Sequence, residues 1–344
     1  MPDTSMTDLI HPPLPRMLQV EVTGACNLRC RMCIVRYRPG LDRTASMSFA
    51  SFRHLLDALP DVAEVRLQGI GEPLMAPDIV DMVAYASARG ISAGFNTNAT
   101  LLTRRMGARL LDAGLDWLCI SLDGASKETY EFVRDRARWE VVERNVAGFV
   151  ALTRARGAAS PRLSLVMVLM RRNLHELPAL VRRAAGWGIS SIFVQGLSHD
   201  FSDAPTDAYA AISDYVGEQS IASLAASEVE AVFAEARALA EREGVDLRLP
   251  HLPASEGRST PLTVAGVPVG CDWPWQGAYV TYDGTVKPCC MVMGSERARM
   301  GNLRDASFAE IWEGEELQRF RAGLLPGSTP HPVCLGCALY RGTF

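Results

Sequence analysis

Residues 18–33 read LQVEVTGACNLRCRMC and place three cysteines directly after a short apolar segment. The first five residues alternate apolar and polar side chains, which is typical of a β-strand. Cys26, Cys30 and Cys33 follow with the spacing C-x3-C-x2-C. In α/β proteins, ligands bind in the crevice at the carboxyl ends of the parallel strands. The spacing therefore predicts a metal or ligand site at the end of the first strand.

Short apolar runs alternate with helical stretches from residue 18 to about residue 196. The predicted strands are 18–22, 65–69, 92–96, 117–122, 163–170 and 191–195, and the predicted helices are 48–59, 77–89, 103–113, 127–154 and 174–186. This alternation predicts an α/β fold with a parallel sheet, because each parallel pairing of consecutive strands needs a crossover helix. A doubly wound sheet and an open or partial β/α barrel both fit this order.

The composition is that of a globular protein close to electrical neutrality. The 344 residues carry 35 Lys+Arg and 39 Asp+Glu, a net charge of −4, and 48% of them are hydrophobic. This excludes disorder for the whole chain, and the even spread of basic residues argues against nucleic acid as a partner. We find no 18-residue apolar run and no signal-like start, so we expect a cytoplasmic protein with no membrane partner. Cysteines kept reduced there act as metal or catalytic groups more often than as disulfides.

The nine cysteines concentrate at the two ends of the chain, and this divides it. We predict an N-terminal tail over residues 1–16, a βα domain over 17–226, a helix and connector over 227–269, and a small α+β module over 270–344. The last module carries five cysteines, a hairpin signal at Asp283-Gly284 and a helix from about 307 to 322. A domain of this size has a small core, so we expect a metal to stabilise it.

Three cysteines close in sequence suit an iron-sulfur cluster better than a structural zinc ion. Zinc in structural sites takes four protein ligands, and the nearest histidines in sequence are His11 and His54. A four-iron cluster held by three thiolates leaves one iron open to bind a substrate or a cofactor.

The C-x3-C-x-Φ-C motif, with Met32 at the apolar position, resembles that of the radical S-adenosylmethionine (SAM) superfamily. The resemblance implies a partial (β/α)6 barrel over 17–226. It also implies that SAM is bound near Met32, near Gly69, Gly71 and Glu72 after the second strand, and near polar residues of the next strands. These polar residues are Asn96, Asn98, Ser121, Asp123 and Arg134. Asparagine and serine at strand ends are also common as helix caps and turn formers.

The same resemblance implies a mechanism and a partner. The open iron of a [4Fe-4S] cluster would bind SAM, an external one-electron reductant such as flavodoxin or ferredoxin would reduce the cluster, and a 5′-deoxyadenosyl radical would abstract a substrate hydrogen. The protein would position the reactants and exclude water.

The second set of cysteines has the spacing C-x12-G-x4-C followed by C-x2-C, with Cys271, Cys289, Cys334 and Cys337. This resembles the SPASM/twitch module of radical SAM enzymes and implies that these four residues bind a second, auxiliary [4Fe-4S] cluster. A full SPASM domain carries seven cysteines, so the one-cluster twitch form fits best. A zinc ribbon on the same four residues is the alternative.

Two cysteines remain outside these sets. Cys290 adjoins Cys289, and we consider both a buried thiol and a hydrogen-atom donor to a substrate radical. Cys119 lies within an apolar strand and is expected to be a core thiol.

The substrate is expected to be a sugar-like or aminocyclitol small molecule, because a one-cluster twitch module with this spacing resembles that of dehydrogenases acting on such compounds. The auxiliary cluster would take up an electron, since oxidation of a carbon radical requires an acceptor. The alternatives are a sugar epimerase with Cys290 as hydrogen donor and a peptide-modifying (RiPP) maturase. Only 25 residues precede Cys26, which speaks against a fused peptide-recognition domain. Candidate substrate residues are Arg171, Asn173, Gln195, His199, Asp200, Trp273 and Trp275.

Overall fold

Strands and helices alternate through the part of the chain that the computed structural model describes, residues 9–37, 44–157, 161–197, 201, 209–251, 262–292 and 297–342. The strands are β1 (Met17–Val20), β2 (Glu64–Arg66), β3 (Ser92–Thr97), β4 (Trp117–Ser121), β5 (Arg162–Leu169), β6 (Ser191–Gly196), β7 (Asp246–Arg248), β8 (Leu262–Val264), β9 (Val267–Val269), β10 (Gly277–Val280), β11 (Thr285–Lys287) and β12 (Gly301–Asn302).

The helices cover one face of the sheet and fill the second module. They are α1 (Ile34–Tyr37), α2 (Phe49–Asp57), α3 (Ile79–Ala88), α4 (Arg104–Asp112), α5 (Lys127–Val133), α6 (Trp139–Ala155), α7 (Leu177–Trp187), α8 (Ala210–Gln219), α9 (Ala226–Glu243), α10 (Trp273–Gln276), α11 (Phe308–Trp312), α12 (Glu315–Ala322), α13 (Pro332–Leu335) and α14 (Ala338–Arg341). Within the described ranges, no helix has the length and apolar character needed to cross a bilayer.

One ten-stranded sheet forms the centre of the described structure, in the order β12-β11-β10-β1-β2-β3-β4-β5-β6-β7. Strands β1 to β7 are parallel to one another, and β10 joins the free side of β1, also in parallel. Side chains such as Val65, Phe95 and Leu118 point to one face and are fully buried in the main core. The predicted α/β fold is confirmed as a partial barrel, with its helices on that outer face.

The segment from 227 to 269 contains the expected helix, α9, together with a strand that the sequence did not predict. Helix α9 packs on α7, and the strand that follows it, β7, pairs in parallel with β6. The sheet therefore contains a seventh parallel strand. The pattern did not predict β7 because its three residues, Asp246, Leu247 and Arg248, include a single apolar side chain.

The segment expected to be an N-terminal tail binds the second module. The indole nitrogen of Trp275 donates to the Leu9 carbonyl at 2.6 Å, and that of Trp312 donates to the Pro12 carbonyl at 3.1 Å. The fully buried guanidinium of Arg321 donates to the Ile10 carbonyl at 3.1 Å. The described start of the chain is thus part of the C-terminal module's core.

The loop after β2 lies directly against the end of β1, and two glycines make this approach possible. A Cβ on Gly71 would lie 2.2 Å from the Thr23 carbonyl oxygen, and one on Gly69 would lie 2.4 Å from the Glu21 side chain. Distances this short are far inside van der Waals contact. The two strand ends can therefore be adjacent only if these residues lack side chains.

Replacing Gly71 with alanine tests this packing. We expect Gly71→Ala to reduce the free energy of unfolding by about 1–3 kcal/mol, because the contacted atoms are backbone and cannot rotate away. The control is Gly148→Ala in helix α6, where a Cβ meets nothing within 4 Å. We expect that variant to be more stable by about 0.5–1 kcal/mol. Equal stability of the two variants in urea unfolding would contradict the close approach.

Candidate functional site

The first cysteine loop lies between β1 and α1 and is held by backbone hydrogen bonds to the end of α5. The Arg29 amide donates to the Asp135 carbonyl at 3.0 Å, and the Arg31 amide donates to the Val133 carbonyl at 2.9 Å. Cys30 is buried, and Cys26 and Cys33 are half-buried. Met32, predicted to contact the cofactor, is buried and packs in the main core.

Burial keeps the three thiols protonated in the absence of a metal. It raises the pKa of Cys26 to about 11 and that of Cys30 to about 12, and it also raises the pKa of Cys33. The Arg134 guanidinium acts in the opposite direction on all three. Thiolates are the form that binds iron, so cluster binding displaces their protons. Arg134 provides a positive charge beside the thiolates.

Glu72 connects the ends of three segments by hydrogen bonds of its carboxylate and of its backbone amide. It is buried and accepts hydrogen bonds from the Thr97 hydroxyl at 2.6 Å and from the Asn98 amide at 2.8 Å. Its own amide donates to the Ala25 carbonyl at 2.7 Å. Glu72, predicted to contact SAM, thus connects the loop after β2 with the end of β3 and with the cysteine loop.

The other predicted strand-end residues divide into two groups. The side chain of Asn98 is bonded to Asn27 and Thr100, and Asp123 is fully buried against Arg134, with 2.7 Å between its Oδ2 and the Arg134 Nη2. Asn96 and Ser121 are half-buried. Asn98 and Asp123 therefore shape the site, while Asn96 and Ser121 are accessible to a ligand.

Two buried polar atoms beside the first cysteine loop have no partner among the described residues. They are the Tyr130 hydroxyl and the Arg134 Nε. Burying a polar group without a hydrogen bond is costly, so such atoms usually have a ligand or a water as partner. Both residues lie close enough to Cys30 to act on it electrostatically. These atoms and the strand-end loops fit a polar cofactor such as SAM.

The inner face of the sheet carries polar side chains among apolar ones such as Val168, in contrast to the outer face. Neighbouring residues of parallel strands point to the same side, so the registers Asn96↔Cys119, Cys119↔Ser164 and Val168↔Gln195 place these side chains on one face. Together with Arg66, Gln68 and Ser121, they form what we call the inner face. Cys119, expected to be a core thiol, is half-buried here, with its sulfur 2.9 Å from the Ser164 hydroxyl.

The described residues among the predicted substrate residues do not lie together at one site. Gln195 lies on the inner face, whereas the Arg171 guanidinium donates to the Ser223 hydroxyl on an exposed turn at 2.6 Å. Asn173 is fully buried and donates to the Asp123 carbonyl at 3.0 Å, so it holds two strand ends together. Trp273 is half-buried at the start of α10, and the Trp275 ring is buried against the N-terminal segment. His199 and Asp200 lie outside the described residues.

The four cysteines of the second set line one cavity. Cys271, Cys289, Cys334 and Cys337 surround it together with apolar side chains that include Pro274, Met291, Val292, Phe320, Leu324 and Val333. Burial raises the pKa of Cys289 well above its ordinary value. Four sulfur donors in an apolar enclosure fit an iron-sulfur cluster, whose potential depends on solvent exclusion.

Cys290 does not line this cavity. Its half-buried thiol is influenced electrostatically by Arg66 of the inner face as well as by Cys271 and Cys337. It is therefore within electrostatic reach of both the second cysteine set and the inner face.

Across the residues with assigned positions, no three His, Cys, Asp or Glu side chains converge tightly enough to bind one metal ion.

A buried Glu21–Tyr279 pair connects the two parts of the site, and the sequence patterns did not identify it. Glu21 follows β1 and accepts hydrogen bonds from the Tyr279 hydroxyl of β10 and, at 3.0 Å, from the amide of Ile70. Burial raises the pKa of both groups. In the sequence, Glu21 stands out as an acidic residue within the apolar run 18–22. Its partner Tyr279 is 258 residues away, so no local pattern connects the two.

Comparison with known families identifies two domains in the chain. Residues 20–184 match the radical SAM superfamily, and residues 271–338 match SPASM, an iron-sulfur cluster-binding domain. The first match contains Cys26, Cys30 and Cys33, and the second contains the other four predicted ligands.

Three curated relatives match nearly the whole chain. A tungsten-containing aldehyde ferredoxin oxidoreductase cofactor-modifying protein of Pyrococcus furiosus is 26% identical, over 94% of this chain and 87% of its own. An AdoMet-dependent heme synthase of Methanosarcina barkeri is 28% identical, over 89% and 84%. A PqqA peptide cyclase of Xanthomonas campestris pv. campestris is 27% identical, over 95% and 80%.

Among solved structures, SuiB of Streptococcus suis bound to the precursor peptide SuiA has the same fold. The TM-score is 0.69 at 16% identity, over 97% of this chain and 72% of that chain. The order of the two matched domains, the positions of the cysteine sets within them and the partial barrel all indicate the same family. The chain is an enzyme that uses SAM and [4Fe-4S] clusters, and it belongs to the radical SAM superfamily, with a C-terminal SPASM domain.

Proposed function

We propose that this enzyme modifies a peptide by removing a carbon-bound hydrogen atom. Cys26, Cys30 and Cys33 would hold the SAM-binding cluster, and the four cysteines that line the second cavity would hold the auxiliary cluster. The observation that carries the proposal is the match to a PqqA peptide cyclase across both domains, over 95% of this chain. The relatives reported above give less support to the dehydrogenation of a sugar or an aminocyclitol than to a peptide substrate.

Different residues of this chain would have different roles in this reaction. When bound, the first cluster and SAM supply a radical that takes a hydrogen atom from carbon. Arg134 offsets the negative charge of the three thiolates, and Tyr130 presents an unpartnered hydroxyl beside them. Glu72, Asn98 and Asp123 hold the strand ends in place. The covered outer face and the surrounding core exclude water from the radical step.

The inner face supports a substrate with neutral hydrogen-bonding groups. Its described polar side chains toward the carboxyl ends of the strands are mainly amides and hydroxyls: Gln68, Asn96, Ser121 and Gln195. Amide side chains both donate and accept, which matches a peptide backbone. A tetrapyrrole with several carboxylates, which the heme synthase relative suggests, would call for more cations than Arg66 provides there.

The position of Cys290 favours a second candidate function. Because its thiol is within electrostatic reach of Arg66 and does not line the cluster cavity, it could return a hydrogen atom to a substrate radical, as an epimerase requires. The thiol S–H bond would break, the substrate C–H bond would form, and the sulfur radical left behind would need one electron and one proton from the reductant and solvent.

Iron counting tests the assignment of the two cysteine sets. After anaerobic reconstitution we expect about eight irons per chain. The triple variant Cys26→Ala, Cys30→Ala, Cys33→Ala should lose about four of these irons and all SAM cleavage, because its cluster has no ligands. The quadruple variant at positions 271, 289, 334 and 337 should lose the other four. Cys119→Ala is the matched control and should retain all of them, and full iron loading of the triple variant would disprove the assignment.

Product analysis tests the substrate class. The purified enzyme would be incubated anaerobically with dithionite, SAM and a short peptide encoded beside its gene. We expect at least about tenfold more 5′-deoxyadenosine than without peptide, together with a mass change in the peptide, because bound substrate commits the radical to hydrogen abstraction. Aminocyclitols assayed in parallel should give no such stimulation. The reverse pattern, turnover with an aminocyclitol and none with the peptide, would reject the peptide proposal.

Deuterium labelling tests the role of Cys290. If Cys290 is a hydrogen donor, wild-type product formed in D2O carries one solvent deuterium, since thiol hydrogens exchange, and Cys290→Ala loses it. Iron content, measured in both proteins, must be equal for the comparison to hold. Identical labelling and rate in the two proteins would leave Cys290 without a chemical role.

A further inference from the structure

A cluster of partly or fully exposed arginines lies beside the first cysteine loop. Arg31 lies between Cys30 and Cys33, and its guanidinium stacks on the Phe132 ring, 4.1 Å from the ring centre. Arg172, from the turn after β5, stacks on the same ring at 4.5 Å. Phe132 itself is 38% exposed, which is unusual for a large apolar side chain. Two like charges are thus held beside one exposed aromatic ring.

Among the residues that the structure describes, few acidic groups oppose these charges. Arg36 pairs with Asp135 at 2.7 Å, and Asp135 also lies within the electrostatic reach of Arg31 and Arg136. Glu218 acts on the neighbouring Tyr37 from the side of α8. No ion pair of Arg31, Arg136 or Arg172 occurs among the described residues. We call Arg31, Arg36, Phe132, Arg136 and Arg172 the arginine patch, and its charge is positive.

The patch is next to the site where an electron must enter. The Cα atom of Arg31 is one peptide unit, about 3.8 Å, from that of Cys30. The loop is held rigidly there, since the Arg31 amide and Nε donate to the carbonyls of Val133 and Phe132, at 2.9 and 2.8 Å. A protein that docks on the patch therefore sits directly over the cysteine loop.

We propose that the arginine patch is the docking surface for an acidic electron-donor protein, which passes one electron to the cluster held by Cys26, Cys30 and Cys33. The donor is oxidised by one electron and the cluster is reduced by one, with no bond made or broken. This inference rests on the proposed function, because it requires a cluster at that loop. Carboxylates of the partner pair with the unopposed guanidiniums, and an apolar group covers Phe132.

Charge reversal in the holoenzyme tests the docking surface. The double variant Arg136→Glu/Arg172→Glu removes two exposed charges of the patch and leaves the Arg31 contacts of the cysteine loop intact. It is compared with Arg89→Glu/Arg237→Glu, whose arginines are partly or well exposed and stack on Tyr85 and Phe233 away from the cysteine loop. The probe is an acidic flavodoxin, and the readouts are its binding by fluorescence anisotropy and the rate of cluster bleaching by its reduced form. At low salt we expect the patch variant to lose at least about tenfold in both, because steering by opposite charges has this magnitude. The control should change less than about twofold.

Dithionite, a small reductant, separates this inference from the proposed function. With dithionite, the patch variant should reduce its cluster and cleave SAM at the wild-type rate, and added salt should lower the wild-type flavodoxin rate toward that of the variant. Unchanged flavodoxin binding and reduction in the patch variant would overturn the docking surface. A loss of peptide turnover with dithionite as reductant would also overturn it, by showing that the patch binds substrate. An absence of SAM cleavage in the wild type would instead refute the proposed function.

Discussion

The parallel pairing of β1 with both β2 and β10 is the constraint on which the rest of the structure depends. β1 leads into the first cysteine loop, β2 leads into the loop of Gly69 and Gly71, and β10 belongs to the module with the second cysteine set. The register Gln19↔Tyr279 and the bond from the Glu21 amide to the Val280 carbonyl, at 2.8 Å, fix this arrangement. Because backbone hydrogen bonds set the spacing of neighbouring strands, the two cysteine sets cannot move independently.

Buried charge is arranged around this framework in two different ways. Near the first cysteine loop, Arg134 has a carboxylate partner, Asp123, and still has an unpartnered nitrogen facing the site. In the second module, Arg321 is fully buried against the carbonyls of Pro274, Ile10 and Trp312, and burial lowers its pKa to about 10. Carbonyl oxygens pair with a cation without adding negative charge. The first arrangement combines a cation with a carboxylate beside the cysteine loop, and the second holds the N-terminal segment in the module, while the Arg321 Nη2, like the Arg134 Nε, has no partner among the described residues.

Local patterns in the sequence were sufficient for the six strands of the barrel, for the cysteine sets and for helix α2, whose first turn is capped by the Ser48 hydroxyl, which accepts from the Ser51 amide at 3.1 Å. They were not sufficient where a feature depends on distant contacts. Strand β7 has too few apolar residues to form a pattern, and the docking of Leu9 and Ile10 depends on residues some 260 to 310 positions away. The same holds for Cys119, whose apolar neighbours indicate a core position although parallel register turns it to the inner face. The alternation of apolar and polar residues shows which residues share a face of the sheet. It does not show which of the two faces the helices will cover.

Iron-edge anomalous diffraction from anaerobically grown crystals would show most directly whether one barrel separates two redox centres. We expect two groups of anomalous peaks, each compatible with a four-iron cluster. One group would be bonded to Cys26, Cys30 and Cys33, and the other to Cys271, Cys289, Cys334 and Cys337, with the polar inner face between them. A single iron group, or a zinc ion at either set of cysteines in protein that is fully active, would contradict it.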